Sequence, residues 1–522
     1  MTLAYAHIRA LLLARQEIAL IDVREEDRFA QAHPLWAANF PLSRLELEAW
    51  RRIPRRDTLI VVYGEDRTAR AIATLTRLGY TSVHELDGGL DGWRAAGGEL
   101  FRDVNVPSKA FGEYVEAHRH TPSLDATAVK ELIDRDPGLV VLDVRRFDEY
   151  QTMTLPGSVS VPGAELVLRA RQLAPNPGTR IIVHCAGRTR SIIGTQSLIN
   201  AGLPNPIAAL RNGTIGWVLA GHTLEQGASR RFPADLPETV RAIAQVDARQ
   251  VAARAGVSRI AASALDRLAE AGRTLYRFDV RSPEEFAAGH LPGFTNVPGG
   301  QLVQESDHDA PVRGARLVLA DDDGVRADMT ASWLAQMGWE VQVVDPVDPA
   351  YRTVTGPAAP PQPLPPAVPL TTATALAARL EAGEAVQILD VTGSANYVRR
   401  HIPGAWFTVR ADLAAAVRQV PAAELYVLTC GTSLLARFAA ADLRDVTDTP
   451  VMVLEGGTAA WVAAGLPVQE GESYLASPRI DRYRRPYEGT DNNAAAMQAY
   501  LDWEFGLVEQ LARDGTHNFT VI

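Results

Sequence analysis

The stretch Arg180-Ile181-Ile182-Val183-His184-Cys185-Ala186-Gly187-Arg188-Thr189-Arg190-Ser191 decides the fold. Its first five residues gather β-branched side chains into a short apolar run, which reads as a buried strand. Residues 191–199 place apolar side chains at three- and four-residue spacing, which reads as a helix. Cys185 therefore stands where a strand turns into a helix. A thiol there faces loop amides and a helix N-terminus, both of which favour negative charge. Gly187 lets the backbone curl so that several amides converge, and Arg188, Arg190 and His184 are expected to add positive potential. The loop predicts a seat for a nucleophilic sulfur that carries or attacks something anionic. The competing reading, an inert buried cysteine, fits a polar and basic loop poorly.

Working outward, the strand ending Leu142-Asp143-Val144-Arg145 recurs as Ile21-Asp22-Val23-Arg24, Phe278-Asp279-Val280-Arg281 and Leu389-Asp390-Val391-Thr392. An aromatic follows each (Phe29, Tyr150, Phe286, Tyr397), and three copies continue to Pro156-Gly157, Pro292-Gly293 and Pro403-Gly404. Three copies later show a Gly- or Asn-Gly turn with a tryptophan after it: Gly88-Gly89 to Trp93, Asn212-Gly213 to Trp217, Gly456-Gly457 to Trp461. The aspartates repeat at the length of a domain and not of a solenoid unit. The chain reads as four related domains in tandem.

The repeated unit resembles the rhodanese (sulfurtransferase) domain, through Asp-Val-Arg, the strand–Cys loop–helix and Gly-Gly-x-x-x-Trp. The resemblance covers about residues 5–470. The third copy, Glu285-Phe286-Ala287-Ala288-Gly289-His290-Leu291-Pro292-Gly293, follows the family pattern closely. The second departs from it, with Met153 and Thr154 in place of Gly-His. Alternating strands and helices imply an α/β fold: four tandem domains, each a doubly wound parallel sheet with helices on both faces. The reactive loop then lies at the carboxyl end of a strand.

Boundaries follow from the breaks between copies. Domain one is expected at 1–105, domain two at 121–227, domain three at 245–350 and domain four at 370–470, with a tail at 471–522. Residues 106–120 read as a connector. Residues 355–369 hold seven prolines and read as an extended spacer. In the tail, Met497, Tyr500, Leu501, Phe505, Val508 and Leu511 predict one helix near 493–513 that docks on a domain surface.

Composition fits this layout. A length of 522 residues with 47% hydrophobic and 22% charged content is ordinary globular usage. A net charge of −10 argues against nucleic acid or an anionic membrane as partner. Two cysteines exclude a disulfide framework and suit a reducing, cytoplasmic setting. Leu11-Leu12-Leu13 reads as the first helix rather than a leader. No apolar run reaches the ~20 residues that span a bilayer.

The four loops differ in what they can do. Gly64 stands at the cysteine position of domain one and Asp321 at that of domain three, so neither carries a persulfide and both domains read as structural or docking modules. Asp321-Asp322-Asp323 reads as solvated carboxylates, with no metal expected. Cys430 matches Cys185 in domain four, but its loop Gly431-Thr432-Ser433-Leu434-Leu435 lacks arginine and resembles the mercaptopyruvate type. It stays a possible second site. Asp143 reads as structural, and Arg145 as a residue that reaches an anion over the loop.

The resemblance implies a ping-pong sulfur transfer with no cofactor. Cys185 takes the outer sulfur of a small donor (thiosulfate, a persulfide or a polysulfide) and passes it to a thiol, a protein acceptor or cyanide. Amides of Ala186, Gly187, Arg188, Thr189, Arg190 and Ser191 are expected to hold the sulfur, with Arg188 and Arg190 orienting the donor. Rival readings are a Cys-based phosphatase or arsenate reductase, and a sulfide-sensing scaffold. The related phosphatases use Cys-x5-Arg, whereas Arg190 is the fifth residue after Cys185. The smaller ring suits a terminal sulfur.

Overall fold

A computed structural model describes residues 2–269, 272–345 and 349–522. It holds four parallel sheets of five strands each, and in every sheet the strands lie in the order first–fifth–fourth–second–third. The second sheet centres on Ile181–His184, flanked by Val140–Asp143 and Ile207–Leu210, with all three parallel. Alternation along its strands explains the two layers of helix. Ile181 and Val183 enter a core with Leu166 and Leu198, while Ile182 enters the opposite one with Val129 and Trp217. The fourth domain repeats this with Leu428 on one face and Val427 on the other.

The repeated motifs have physical reasons. The indole Nε1 of Trp93, Trp217 and Trp461 donates to the carbonyl six residues on, at 3.0, 3.0 and 2.7 Å. Each Asp-Val-Arg is a buried fork: Arg24, Arg145 and Arg281 grip Asp22, Asp143 and Asp279, and each also donates to the carbonyl eight residues on. Gly213 adopts φ 55°, and a Cβ there would stand 2.5 Å from the Cys185 carbonyl oxygen. That turn seats the cysteine loop.

Domains pair through equivalent faces. Arg410 of domain four reaches buried Glu46 of domain one at 2.7 and 2.9 Å. Arg326 of domain three reaches Glu165 of domain two at 2.8 Å, and the Trp333 indole donates to Ser197 at 2.8 Å. Helix Glu238–Arg254 packs between the second and third domains, so the boundary expected at residue 245 falls inside it.

Two segments differ from the sequence reading. Residues 106–120 are not a bare connector, because Val106–Arg119 forms a helix packed on Thr189–Asn200. A Cβ at Gly112 would stand 2.9 Å from the Thr189 methyl, which is how closely the two helices approach. The tail forms two helices, Ala494–Phe505 and Leu507–Asp514, broken at Gly506. Met497, Tyr500 and Leu501 dock as expected, but Phe505 is 52% exposed and lies over the Arg188 guanidinium instead. Residues 356–369 form no helix or strand, as seven prolines dictate. No helix among the described residues is long and apolar enough to cross a membrane.

Candidate active site at Cys185

Cys185 follows strand Ile181–His184 and precedes helix Thr189–Asn200, which begins two residues earlier than periodicity suggested. The thiol is buried, and its Sγ lies 3.5 Å from the Ser191 hydroxyl, which donates to the Arg188 carbonyl at 2.8 Å. The carbonyls of Cys185 and Ala186 accept from Thr214 and Ile215 at 2.9 and 3.0 Å. In trans peptides the following N–H groups then point the opposite way, away from helix Gly213–Leu219. The fold thus turns this loop's amides toward one side.

The third domain displays what such a loop holds. Counted from the strand end, Asp321 occupies the cysteine position, and Arg326, like Arg190, is the fifth residue after it. The Asp321 carboxylate accepts from the amides of Gly324, Val325 and Ala327 at 3.1, 3.1 and 2.8 Å. Asp323 accepts from Val325 and Arg326 at 2.7 and 3.0 Å. Both carboxyl groups are buried, so reading them as solvated is corrected: they take up the N–H groups of their own loop. Asp322 alone faces outward, pairing with Arg281 at 3.0 Å and Arg326 at 2.8 Å. Burial, with Asp323 beside it, pushes the Asp321 carboxyl well above the ordinary range.

The side-chain charges around Cys185 also differ from expectation. His184 is fully buried, and burial holds its ring down at about 4 although the Asp143 carboxylate lies 3.7 Å away. It is neutral near pH 7 and adds no positive potential. Arg188 does not face a donor: Nε and Nη2 grip Glu113 at 2.7 and 2.8 Å, Nη1 meets Asn212 at 3.1 Å, and Nη2 also meets Glu116. Arg190 is closer to its expected place, lining a cavity beside the loop, yet Glu149 holds it by two bonds of 2.7 and 2.9 Å. Arg145 lines the same cavity while fixed on Asp143. Although burial opposes it, Arg145 holds the Asp143 carboxyl well below the ordinary range. The charge that favours an anion here therefore comes from loop amides and the helix N-terminus, not from free arginines.

The tail roofs this loop. Ala186 packs with Ile215, Tyr487, Met497, Tyr500 and Leu501. A Cβ at Gly187 would stand 3.2 Å from both Tyr500 Cε1 and Glu504 Oε2. Glu504 accepts from the Tyr500 hydroxyl at 2.8 Å, and burial, reinforced by Glu113, pushes its carboxyl up to about 8. Lys109 lies under the rings of Tyr487, Tyr500 and Trp503 and pairs with Asp103 at 2.5 Å. Sequence reasoning missed Lys109, Glu113, Glu116 and Glu504. The signal for the first three was the charge pattern of a segment read as a connector, whereas Glu504 lies on the tail helix, of which only the apolar stripe was read.

The other two loops lack this surround. A Cβ at Gly64 would run into the Val23 methyl. Cys430 is buried at the end of Leu425–Thr429, but Gly431 and Thr432 after it are exposed.

Comparison with known proteins agrees with the repeats. The rhodanese-like domain family matches residues 8–96, 125–220, 261–346 and 372–464. The crystal structure of a thiosulfate sulfurtransferase from Pseudomonas aeruginosa is 62% identical, covers 100% of this chain and 99% of its own, and superposes with a TM-score of 0.98. A putative sulfur carrier protein, YrkF, from Bacillus subtilis is 35% identical over 85 residues, 15% of this chain and 46% of YrkF. The thiosulfate sulfurtransferase GlpE of Tolumonas auensis is 29% identical over 86 residues, 16% of this chain and 80% of GlpE. The chain spans about half the length of the first of these curated relatives.

Proposed function

The chain belongs to the rhodanese-like domain family, and from that premise we propose that it is a sulfurtransferase working through Cys185. One observation carries the reading. In the third domain three loop amides donate to the carboxyl oxygens at the cysteine position, so a loop of this length aims its N–H groups at whatever side chain sits there. In the second domain the side chain at that position is a thiol, and a persulfide would place its charged outer sulfur in such a seat. The full-length likeness to a thiosulfate sulfurtransferase supports it.

The Cys185 thiolate attacks the outer sulfur of thiosulfate, a persulfide or a polysulfide. The donor's S–S bond breaks, sulfite or a thiolate leaves with the bonding electrons, and Cys185 persulfide remains. Amides of residues 186–191 hold the sulfur, with Ser191 beside it. Arg190 sits at the entrance, and Arg188 braces the loop on helix Val106–Arg119. A thiol, a protein thiol or cyanide then attacks the outer sulfur and restores the thiolate. Two unpaired cysteines suit a reducing, cytoplasmic setting.

Mass spectrometry after thiosulfate treatment tests this. One added sulfur on Cys185, removed by cyanide with stoichiometric thiocyanate, is the expected result. Hydrolysis of an aryl phosphate that is lost in Cys185→Ser would overturn it.

A further inference from the structure

In three of the four domains the residue after the cysteine position is open to solvent: Glu65, Asp322 and Gly431 are exposed. In the second domain its counterpart, Ala186, is 1% exposed, and every residue from Cys185 to Thr189 is buried. The loops follow equivalent strands, so the difference comes from what lies on top. The cover belongs to none of the four domains. It is the tail, whose Tyr487, Met497, Tyr500 and Leu501 pack with Ala186 and Ile215. A nucleophile covered in this way meets large reactants only if the cover moves.

The cover has the build of a separate piece. Helix Ala494–Phe505 buries a single stripe, Met497, Tyr500, Leu501 and Glu504, at three- and four-residue spacing. Its other side, with Ala494, Gln498, Asp502 and Phe505, is exposed. Residues 484–493, which lead into it, form no helix or strand. Gly506 breaks the chain behind it, and the next helix, Leu507–Asp514, is seated on its own. Leu507 and Leu511 enter the core that includes domain one, and Gln510 donates to the Leu100 carbonyl at 3.0 Å. The first helix can therefore swing at Gly506 while the second stays in place. Its underside is also held imperfectly. Glu504 Oε2 lies over Gly187, shut off from water, with no hydrogen-bond partner among the described residues. A buried polar atom left unbonded costs free energy, so this seat is weaker than a wholly apolar face would make it.

We propose that helix Ala494–Phe505 is a gate that selects the sulfur acceptor, with Met497 and Leu501 as the side chains that hold it shut. The proposal rests on the sulfurtransferase reading of Cys185 and deepens it. Seated, the helix confines exchange at Cys185 to reactants of a few atoms, such as cyanide, and shields a persulfide from larger thiols. A peptide or protein thiol takes the sulfur only when the helix lifts about Gly506. Its thiolate R–S⁻ then attacks the outer sulfur of the Cys185 persulfide. The bond from that sulfur to Cys185 breaks as the bond to R–S forms. Cys185 leaves as thiolate with the electron pair, and the proton stays on the transferred sulfur, giving R–S–SH.

The test uses the full chain in a Cys430→Ser background, which leaves Cys185 as its one thiol. The first readout is alkylation of Cys185 by iodoacetamide and by a maleimide carried on polyethylene glycol, each rate divided by that with free cysteine. The native tail should slow the polymer reagent about tenfold more than the small one, since only the former waits for local opening. In Met497→Ala/Leu501→Ala, which trims the contacts with Ala186 and Ile215, that discrimination should disappear. The second readout, with thiosulfate as donor, is the ratio of kcat/KM for glutathione to that for cyanide. It should rise about tenfold in the same variant. Equal slowing of both reagents by the native tail, or discrimination and acceptor ratio unchanged in the variant, would overturn the proposal. Absence of transfer to either acceptor would instead remove the sulfurtransferase reading, while alkylation would still decide the gate. Met497→Ala alone serves if the double variant does not fold.

Discussion

Tyr500, more than three hundred residues on in the chain, lies against Gly187 of the cysteine loop, with its ring carbon Cε1 3.2 Å from where a Cβ at 187 would stand. The tail is thus part of the Cys185 site. That spacing is a few tenths of an ångström tighter than ordinary contact, so Gly187→Ala should push either loop or tail aside. We expect Gly187→Ala to lower thiosulfate:cyanide turnover about tenfold, with partial recovery in Gly187→Ala/Tyr500→Ala. Additive losses in the double-mutant cycle would show that the two residues do not communicate.

The two cysteines should separate cleanly. Cys185→Ser should abolish persulfide formation, because a hydroxyl stays protonated and forms no such adduct. Cys430→Ser should keep most of the turnover, since its loop lacks arginine and leaves Gly431 and Thr432 exposed. The opposite pattern would move the working site to domain four.

Arg188 gives a prediction that the sequence alone inverted. Read as a free cation, it should discriminate between donors. In the fold it is the buried counterion of Glu113 and Glu116. Removing one partner of a buried ion pair costs about 3–5 kcal/mol. Arg188→Ala should therefore lower the melting temperature and reduce transfer from all donors alike. A loss confined to thiosulfate, with stability unchanged, would restore the donor-orienting role.

This contrast shows what the sequence carried. The four sheets were legible because Asp-Val-Arg and Gly-Gly-x-x-x-Trp encode local geometry: a buried fork and a left-handed turn that seats the next loop. Arg188 was misread because the carboxylates that hold it are distant in sequence, and His184 because burial in the fold, which its local sequence does not display, keeps its ring neutral. Glu113 lies 75 residues before Arg188, on a helix whose packing periodicity had no neighbour to suggest it. The roof of Tyr487, Tyr500 and Glu504 was invisible for the same reason. An amphipathic stripe says that a helix docks, not where.

Asp390 predicts a pH dependence. In the fourth copy Thr392 replaces the arginine that grips the equivalent aspartate elsewhere, and Asp390 Oδ2 is left buried without a hydrogen-bond partner among the described residues. Burial pushes its carboxyl up to about 7, with only the Thr392 amide opposing. Below the unfolded value near 3.8 both states hold the proton, and no penalty arises. As pH rises from there toward 7, the unfolded chain ionises while the folded one does not, so stability falls; above 7 the loss is constant. The full effect amounts to a few kcal/mol. Asp390→Asn should match wild type in thermal unfolding near pH 4 and exceed it at pH 8. Parallel curves for the two proteins across that interval would show that Asp390 does not titrate as described.

The third domain offers the sharpest test of the anion seat. If loop amides alone make a sulfur site, Asp321→Cys should create one there. It should not, because Asp323 would remain in place, accepting from Val325 and Arg326 and ion-paired with the Arg326 side chain. A persulfide at position 321 would face that carboxylate and share its amides. In a Cys185→Ser background, Asp321→Cys should therefore gain no cyanide-labile sulfur. Asp321→Cys/Asp323→Ala should gain a measurable amount, since the amides of Gly324, Val325 and Ala327 would be free for the new anion. Arg326 would keep Glu165 and Glu285 as partners, so the second substitution leaves no unpaired charge. Sulfur loading equal in the single and double variants would mean that Asp323 does not block the seat. No loading in either, with both folded, would mean that amide convergence is insufficient and that the Tyr500 roof over Cys185 is required as well.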